Sequence, residues 1–381
     1  MRLDLEELQA EAQGRFHEFA RREIAPYADL WDREEKIPGE LVRKLAAENW
    51  LGPLIPAEYG GAAMDMITFG LLNEEIGRAC SSVRSLLTVH GMVQYAILRW
   101  GSQSQKQTWL PRMARGQAVG AFALSEPHVG SDARSLETTA TPYGSAYRLR
   151  GTKAWITFGQ IADVFLLFAQ CQGAPTAFLL ERDTPGLSFS PISGLLGTRA
   201  SMLATLQLDD CEIPQENRVG GVGFGLSTVG AAALDIGRYS VASGCVGIAQ
   251  ACLDAATAYA GSRKQFGHPL KDHQLIRKMI TEMAVNVRAA RLLCYQAGYL
   301  KDTGDPRTVL ETLVAKYFAA RIALESGSAA VQIHGANGCG AAYSVQRYFR
   351  DAKVMEIIEG STQIQELMIS KQVCDTLEVG A

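Results

Sequence analysis

Ala121-Phe122-Ala123-Leu124-Ser125-Glu126-Pro127, then Gly130-Ser131-Asp132 and Gly151-Thr152-Lys153-Ala154-Trp155-Ile156-Thr157, belong to a segment that reads differently from its surroundings. From about Gln117 to Gly225, short β-rich runs (Phe122 to Leu124, Tyr147 to Leu149, Ala154 to Phe158, Val164 to Phe168, Ala177 to Leu180, Leu203 to Leu208) alternate with clusters of Gly, Pro, Asp and Ser, the pattern of strands joined by turns. Six of the thirteen prolines fall inside it, and both flanks are proline-poor and helical in period. Upstream, Val42, Leu45 and Ala46 precede Trp50, and Phe69, Leu72, Ile76 and Ala79 recur at three- and four-residue spacing. Downstream, the interval from Leu226 to Ala260 predicts one long helix, and Leu275, Ile276, Met279, Ile280, Met283, Val287, Ala290 and Leu293 trace a second apolar stripe. The expected fold is multidomain α+β: an all-α unit over 1–116, a central β-barrel or sandwich over 117–225 and a C-terminal four-helix bundle over 226–381.

Composition narrows the function. The 381 residues are 47% apolar and 20% charged, an ordinary globular balance with little room for extended disorder. A formal charge of −3, with 37 Lys and Arg against 40 Asp and Glu, argues against nucleic acid as a partner. The longer uncharged runs, Val164 to Leu180 and Ser326 to Gln346, are interrupted by Gln and Gly, which argues against membrane spanning. Met1-Arg2-Leu3-Asp4-Leu5-Glu6-Glu7 meets acidic residues at once, and the expected location is cytoplasmic. Eight cysteines stand singly, and six histidines form no H-E-x-x-H, so no metal site is expected. Neither G-x-G-x-x-G nor a P-loop occurs, so a nucleotide cofactor must be held by other means.

The opening strings resemble the flavin-binding β domain of the acyl-CoA dehydrogenase family. Further strings match in family order: Ile55-Pro56-Ala57-Glu58-Tyr59-Gly60-Gly61, Gly197-Thr198-Arg199-Ala200-Ser201, Arg263-Lys264-Gln265-Phe266-Gly267, Gln332-Ile333-His334-Gly335-Ala336-Asn337-Gly338 and Arg350-Asp351-Ala352-Lys353. The resemblance implies the same three-part fold, FAD as cofactor, a homotetramer or homodimer, and an electron acceptor for which an electron-transfer flavoprotein is a candidate. It places flavin contacts on Phe122, Leu124, Ser125, Ser131, Trp155 and Thr157, the first two through backbone. Read alone, Trp155 is more readily a core residue, and hydroxyls in β turns commonly cap local backbone. In the family the adenosine and pyrophosphate end of FAD is gripped across a subunit interface, and Arg263, Gln265, Phe266, Gln274, Gln332 and Gly335 stand at the matching positions. Ser361 and Gln363 resemble positions that touch the dinucleotide from the other side.

Dehydrogenating an acyl thioester requires a base for a weakly acidic α-proton, placed across the substrate from the flavin that takes the β-hydride. Glu359, in Glu356-Ile357-Ile358-Glu359-Gly360-Ser361-Thr362-Gln363, matches the family's base, and Gly360 lets backbone approach the substrate. Glu356, at i−3 from Glu359, is the local competitor, but it would more naturally pair with a neighbouring Lys or face solvent. Some relatives take the base from the long helix, but the matching position here is Gly237. Asp235 and Arg238 resemble residues near the thioester; alone they read equally as an intrahelical i,i+3 ion pair.

Arg84 and Thr88 lie where the family builds the acyl pocket. An arginine there resembles that of glutaryl-CoA dehydrogenases, which hold a distal carboxylate; the plain alternative is that Arg84 points outward. Arg84-Ser85-Leu86-Leu87-Thr88-Val89-His90 and Gly197-Thr198-Arg199-Ala200-Ser201-Met202-Leu203-Ala204 are also similar to flavoproteins of polyketide and related secondary pathways acting on acyl carrier protein thioesters, and Leu195-Leu196 precedes Gly197 where many coenzyme A-dependent relatives have a Lys-Met or Lys-Leu pair. The resulting expectation is an FAD-dependent oxidoreductase acting on the CH–CH bond of a short polar or acidic acyl-CoA or acyl-carrier-protein thioester. An oxidase or non-redox lyase on the same fold, and a non-catalytic scaffold, are the alternatives.

Overall fold

The computed structural model describes residues 4–379, with side chains described through residue 375. Six α-helices come first: α1 (Glu7–Phe19), α2 (Ala28–Glu34), α3 (Gly39–Ala47), α4 (Met66–Ala79), α5 (Ser81–Trp100) and α6 (Gln103–Ala114). Asp65 caps α4 by accepting from the Thr68 N–H at 2.8 Å, and Ser102 with Gln105 forms a capping box on α6. Pro111 lies inside α6 rather than ending it.

Eight strands then form one mixed sheet in the order β6-β7-β3-β2-β4-β5-β8, with β1 pairing in parallel with β4. They are β1 (Gly120–Ala123), β2 (Thr139–Tyr143), β3 (Ala146–Ile156), β4 (Val164–Cys171), β5 (Ala174–Glu181), β6 (Leu187–Pro191), β7 (Ala204–Pro214) and β8 (Arg218–Val219). The expected run at Tyr147 to Leu149 and the first part of that at Ala154 to Phe158 turn out to share β3, which ends at Ile156 and leaves Thr157 and Phe158 in a turn; its pairing with β7 shifts register twice, between Leu149 and Gly151 and between Lys153 and Ile156. β4 is apolar throughout because both faces are covered. Phe165, Leu167 and Ala169 join Leu149, Leu180 and Leu206 in the sheet's own core, while Val164, Leu166 and Phe168 pack with Met92, Val93, Ala96 and Ile97 of α5.

Five helices complete the chain: α7 (Ala231–Ser262), α8 (Gln274–Asp302), α9 (Thr308–His334), α10 (Val345–Met355) and α11 (Thr362–Val379). The long helix expected from Leu226 begins as a π-helical turn, Gly225–Gly230, and is α-helical only from Ala231. This helix is long and apolar enough to cross a membrane by composition, but 67% of its apolar window is buried inside the protein. Small residues let α7 run against α4 almost backbone to backbone: a Cβ on Gly247 would stand 2.1 Å from the Glu74 carbonyl oxygen, and one on Gly77 would stand 2.9 Å from the Gly244 Cα. Six cysteines are buried, while Cys339 and Cys374 are exposed.

Candidate functional site

The turn between α10 and α11 carries Glu359. Its chain reverses through two left-handed residues, Glu359 at φ 55° and Gly360 at φ 92°. Such a conformation costs a non-glycine residue on the order of 1 kcal/mol and needs support from its surroundings. That support is three donors: Arg238 Nε to the Glu359 carbonyl (3.2 Å), and Lys316 Nζ (3.0 Å) and Gln365 Nε2 (2.9 Å) to the Gly360 carbonyl. The carboxylate is thereby aimed at α7 and α5, where a Cβ on Gly237 would lie 2.6 Å from Glu359 Oε2 and 2.7 Å from Met92 Sδ. Oε2 is buried and has no hydrogen-bond partner. Burial pushes the carboxyl up to about 7, against the opposing pull of Arg238, Lys316 and Arg84. Glu356, the competitor, is bound by Lys353 Nζ at 2.6 Å.

Arg84 is fully buried, which removes the outward alternative. Its Nη1 donates to Thr88 Oγ1 (2.8 Å), and Nη2 lies 3.3–3.4 Å from Ser85 Oγ, Ser81 Oγ and Met355 Sδ. Nε has no partner, and no carboxylate lies within ion-pair distance among the described residues. Desolvation holds the guanidinium below the usual arginine range. Thr88 passes the network on through Ser240 (2.6 Å) to Asn73 (2.6 Å).

The i,i+3 pair between Asp235 and Arg238 does not form. Asp235 is taken instead by Lys301 of α8, and Arg238 turns to the Glu359 backbone. A helical wheel places the two on one face but says nothing of what α8 and the α10–α11 turn bring to that face.

Trp155 is not a core residue: it has φ 62° and is 56% exposed at the end of β3. Beside it the Ala154 N–H donates to the Ser125 carbonyl at 2.9 Å, joining the two opening strings. Ser131 is exposed, while Ser125, Thr157, Phe122 and Leu124 are partly buried. A clamp that sequence reading passed over holds this loop. Lys153, wholly buried, donates to Glu126 (2.6 Å) and to the Leu124 carbonyl (3.1 Å), while Glu126 accepts from the Glu137 and Thr138 N–H groups at 2.6 and 3.0 Å. Burial pushes Lys153 down to about 8, with Glu126 pulling the other way. Charged residues inside two turn-rich strings were the available signal. Gly197-Thr198 docks on α10, where Asp351 accepts from the Thr198 N–H at 2.6 Å.

Arg263, Gln265, Phe266, Gln274, Gln332 and Gly335 are all exposed, Phe266 at 92%. The C-terminal ends of α7 and α9 meet here: Tyr259 stacks on His334 at 4.1 Å, beside a cavity of about 610 Å³ that Arg263 also lines and that lies away from Glu359. No hydrogen bond or ring contact among the described residues joins this set to Trp155 or Ser131. Ser361 Oγ accepts from the Ile364 N–H at 3.4 Å at the start of α11, and Gln363 is exposed.

The chain matches the N-terminal, middle and C-terminal domains of acyl-CoA dehydrogenase over residues 6–117, 121–211 and 223–374. It belongs to the acyl-CoA dehydrogenase family. An acyl-CoA dehydrogenase of Bacillus subtilis is 39% identical over 360 residues, covering 93% of this chain and 94% of that protein. Glutaryl-CoA dehydrogenase of Desulfococcus multivorans is 37% identical over 377 residues, covering 96% and 95%. The structure of a glutaryl-coenzyme A dehydrogenase in complex with glutaryl-CoA superposes with a TM-score of 0.95 at 36% identity, over 100% of this chain and 97% of that one. An electron transferring flavoprotein structure of Acidaminococcus fermentans gives 0.95 at 35%, over 98% and 99%. A glutaryl-CoA dehydrogenase of Mycobacterium smegmatis in complex with FADH2 gives 0.93 at 30%, over 97% and 95%.

This acyl-CoA dehydrogenase is therefore an oxidoreductase acting on CH–CH bonds, and its cofactor is FAD. The residues present suit the group: the outward-facing Trp155 indole offers an apolar slab, and the exposed Ser131 and half-buried Ser125 and Thr157 offer hydroxyl donors for its polar edge.

Proposed function

We propose that this acyl-CoA dehydrogenase oxidises a short polar or acidic acyl thioester, with Glu359 taking the α-proton as the β-hydride leaves. FAD, when bound against Ser125, Ser131, Trp155 and Thr157, supplies the hydride acceptor. The observation that carries the reading is the Glu359 carboxylate, whose buried Oε2 has no partner and whose protonation point is raised to about 7. A base so placed is about half ionised near neutral pH and fully so above it, yet strong enough to compete for a weakly acidic proton. Gly237 leaves the space that the carboxylate occupies, and Gly360 keeps backbone slim beside it. Arg238 anchors the turn, and Asp235, held by Lys301, fixes the facing stretch of α7.

Arg84 supports the acidic substrate. A guanidinium whose Nη donors meet only hydroxyls and a thioether, and whose Nε has no hydrogen-bond partner, gains a charge-assisted pair from a distal carboxylate, which an alkyl tail cannot offer. The carrier is coenzyme A or an acyl carrier protein. Leu195 and the exposed Leu196 stand where many coenzyme A-dependent relatives carry a Lys-Met or Lys-Leu pair, a departure that supports the second. Arg263 and Phe266 reach the pyrophosphate end of FAD in a neighbouring subunit, so the working enzyme is a homo-oligomer, dimer or tetramer. An electron-transfer flavoprotein is the acceptor that reoxidises it.

The test is anaerobic incubation of the FAD-loaded protein with butyryl, octanoyl and glutaryl thioesters on both carriers, following flavin bleaching and product mass. A polar thioester should bleach fastest and lose hydrogen. Faster bleaching by octanoyl-CoA than by any polar thioester would overturn the substrate reading.

A further inference from the structure

We infer that Lys316 is a positioning residue for Glu359: from the middle of α9 it holds the Gly360 carbonyl, and its charge biases the carboxylate that this turn presents. The inference rests on the reading of Glu359 as the base.

Lys316 is wholly buried, on the face of α9 that also buries Thr312, Ala319, Ala320 and Ala323. A lysine there is costly unless something inside requires it. Among the described residues it makes no ion pair within 4.0 Å, and its hydrogen bond goes to a neutral acceptor, the Gly360 carbonyl at 3.0 Å. Gln365 reaches the same carbonyl at 2.9 Å with an uncharged amide, so a carbonyl anchor does not by itself call for an ammonium. The charge is surplus to anchoring, and the acidic groups that feel it are the Cys245 thiol and Glu359, the residue that precedes the carbonyl it holds. The other groups around the pair are Arg84 from α5, Arg238 and the Cys245 thiol from α7, and Glu356, which Lys353 binds, from the end of α10. Burial pushes Lys316 down to about 8, with Cys245 and Glu359 opposing, and pushes Glu359 up to about 7, with Arg238, Lys316 and Arg84 opposing. Removing one of three opposing cations lets Glu359 climb further, which moves the pH at which the base becomes available.

The experiment measures flavin reduction by an accepted thioester between about pH 6 and 9 in FAD-loaded wild type, Lys316→Met, Lys316→Gln and Lys316→Arg, together with FAD content and Tm. In Lys316→Gln, which keeps a donor for Gly360, the acid limb should move up by on the order of one pH unit with a near-normal plateau. In Lys316→Met the limb should move likewise, and the plateau should fall about tenfold or more as the turn loosens. Lys316→Arg should leave the limb in place. A residue that merely fills the core would lower Tm without moving any limb, and an unmoved limb in folded Lys316→Gln overturns the inference even if Lys316→Met fails to fold. Glu359→Gln, run in parallel, separates the two readings: wild-type reduction rates in that variant would remove the base itself, whereas its loss alongside an unmoved Lys316→Gln limb condemns only the role of Lys316.

Discussion

Gly237→Ala adds one methyl group and should disable the enzyme without harming the fold. The new Cβ would stand 2.6 Å from Glu359 Oε2, 2.9 Å from its Cδ and 2.7 Å from Met92 Sδ, where ordinary contact begins at 3.4 Å. The carboxylate must therefore retreat by about 0.8 Å to regain ordinary contact. The atoms that move are ends of flexible side chains, so the backbone need not shift, and alanine in a helix interior gains up to about 1 kcal/mol over glycine. Tm and FAD content should stay at or above wild type. A displacement of about 1 Å at a reacting group costs about a hundredfold in rate, so anaerobic stopped-flow bleaching at saturating thioester should slow by that order, kcat and kcat/KM falling together. Wild-type bleaching by a folded, FAD-loaded Gly237→Ala protein would refute the placement of Glu359 against α7 as the catalytic geometry.

Glu359→Gln should lower flavin reduction by about 10²–10⁴-fold. The same variant has a stability signature: because burial raises the native carboxyl from 4.5 to about 7, its ionisation cost is absent below about pH 4.5, grows up to about 7 and then levels, so the Tm advantage of Gln over wild type should appear only as pH rises through that window. Arg84→Ala should cost about ten- to a hundredfold in kcat/KM on a glutaryl thioester and much less on butyryl; equal losses on both would make Arg84 a structural residue only. Arg263→Ala should lower FAD occupancy while leaving the β domain folded, read by the flavin-to-protein absorbance ratio. Lys153→Met strands Glu126, whose side chain is 1% exposed, and should destabilise by about 3–5 kcal/mol in denaturant unfolding, with partial recovery on adding Glu126→Gln.

Much of this was legible because periodicity and punctuation are local. Phe69, Leu72, Ile76 and Ala79 do lie on the buried face of one helix, and Val164 to Phe168 is a strand whose unbroken apolar run reflects its two covered faces. The limits were local too. Tyr147 to Leu149 and Ala154 to Phe158 read as two strands because the exposed or half-buried Arg150, Gly151 and Thr152 between them look like a turn, whereas pairing with β7 carries the strand through that interval with shifts of register. The helical start at Leu226 is a π turn, with Gly225 set close against the Pro175 backbone and Gly230 against Phe168, tertiary contacts that apolar period does not encode.

What the sequence by itself determined was the order of helical, β and helical units, the family, and a short list of chemistry-bearing residues at matching motif positions. Which of these meet was decided only in three dimensions. Asp235 and Arg238 are three residues apart, yet one is bound by Lys301 and the other by the carbonyl of Glu359, 121 positions away. Lys316 and Gly237 entered the site for the same reason: the one is a charge on a buried helical face, the other a missing side chain, and each acquires meaning from the turn that α10 and α11 place against it. Helical and strand periods specify which face a residue occupies, but the partner across that face, and with it the desolvation that raises Glu359, is a property of the packed chain.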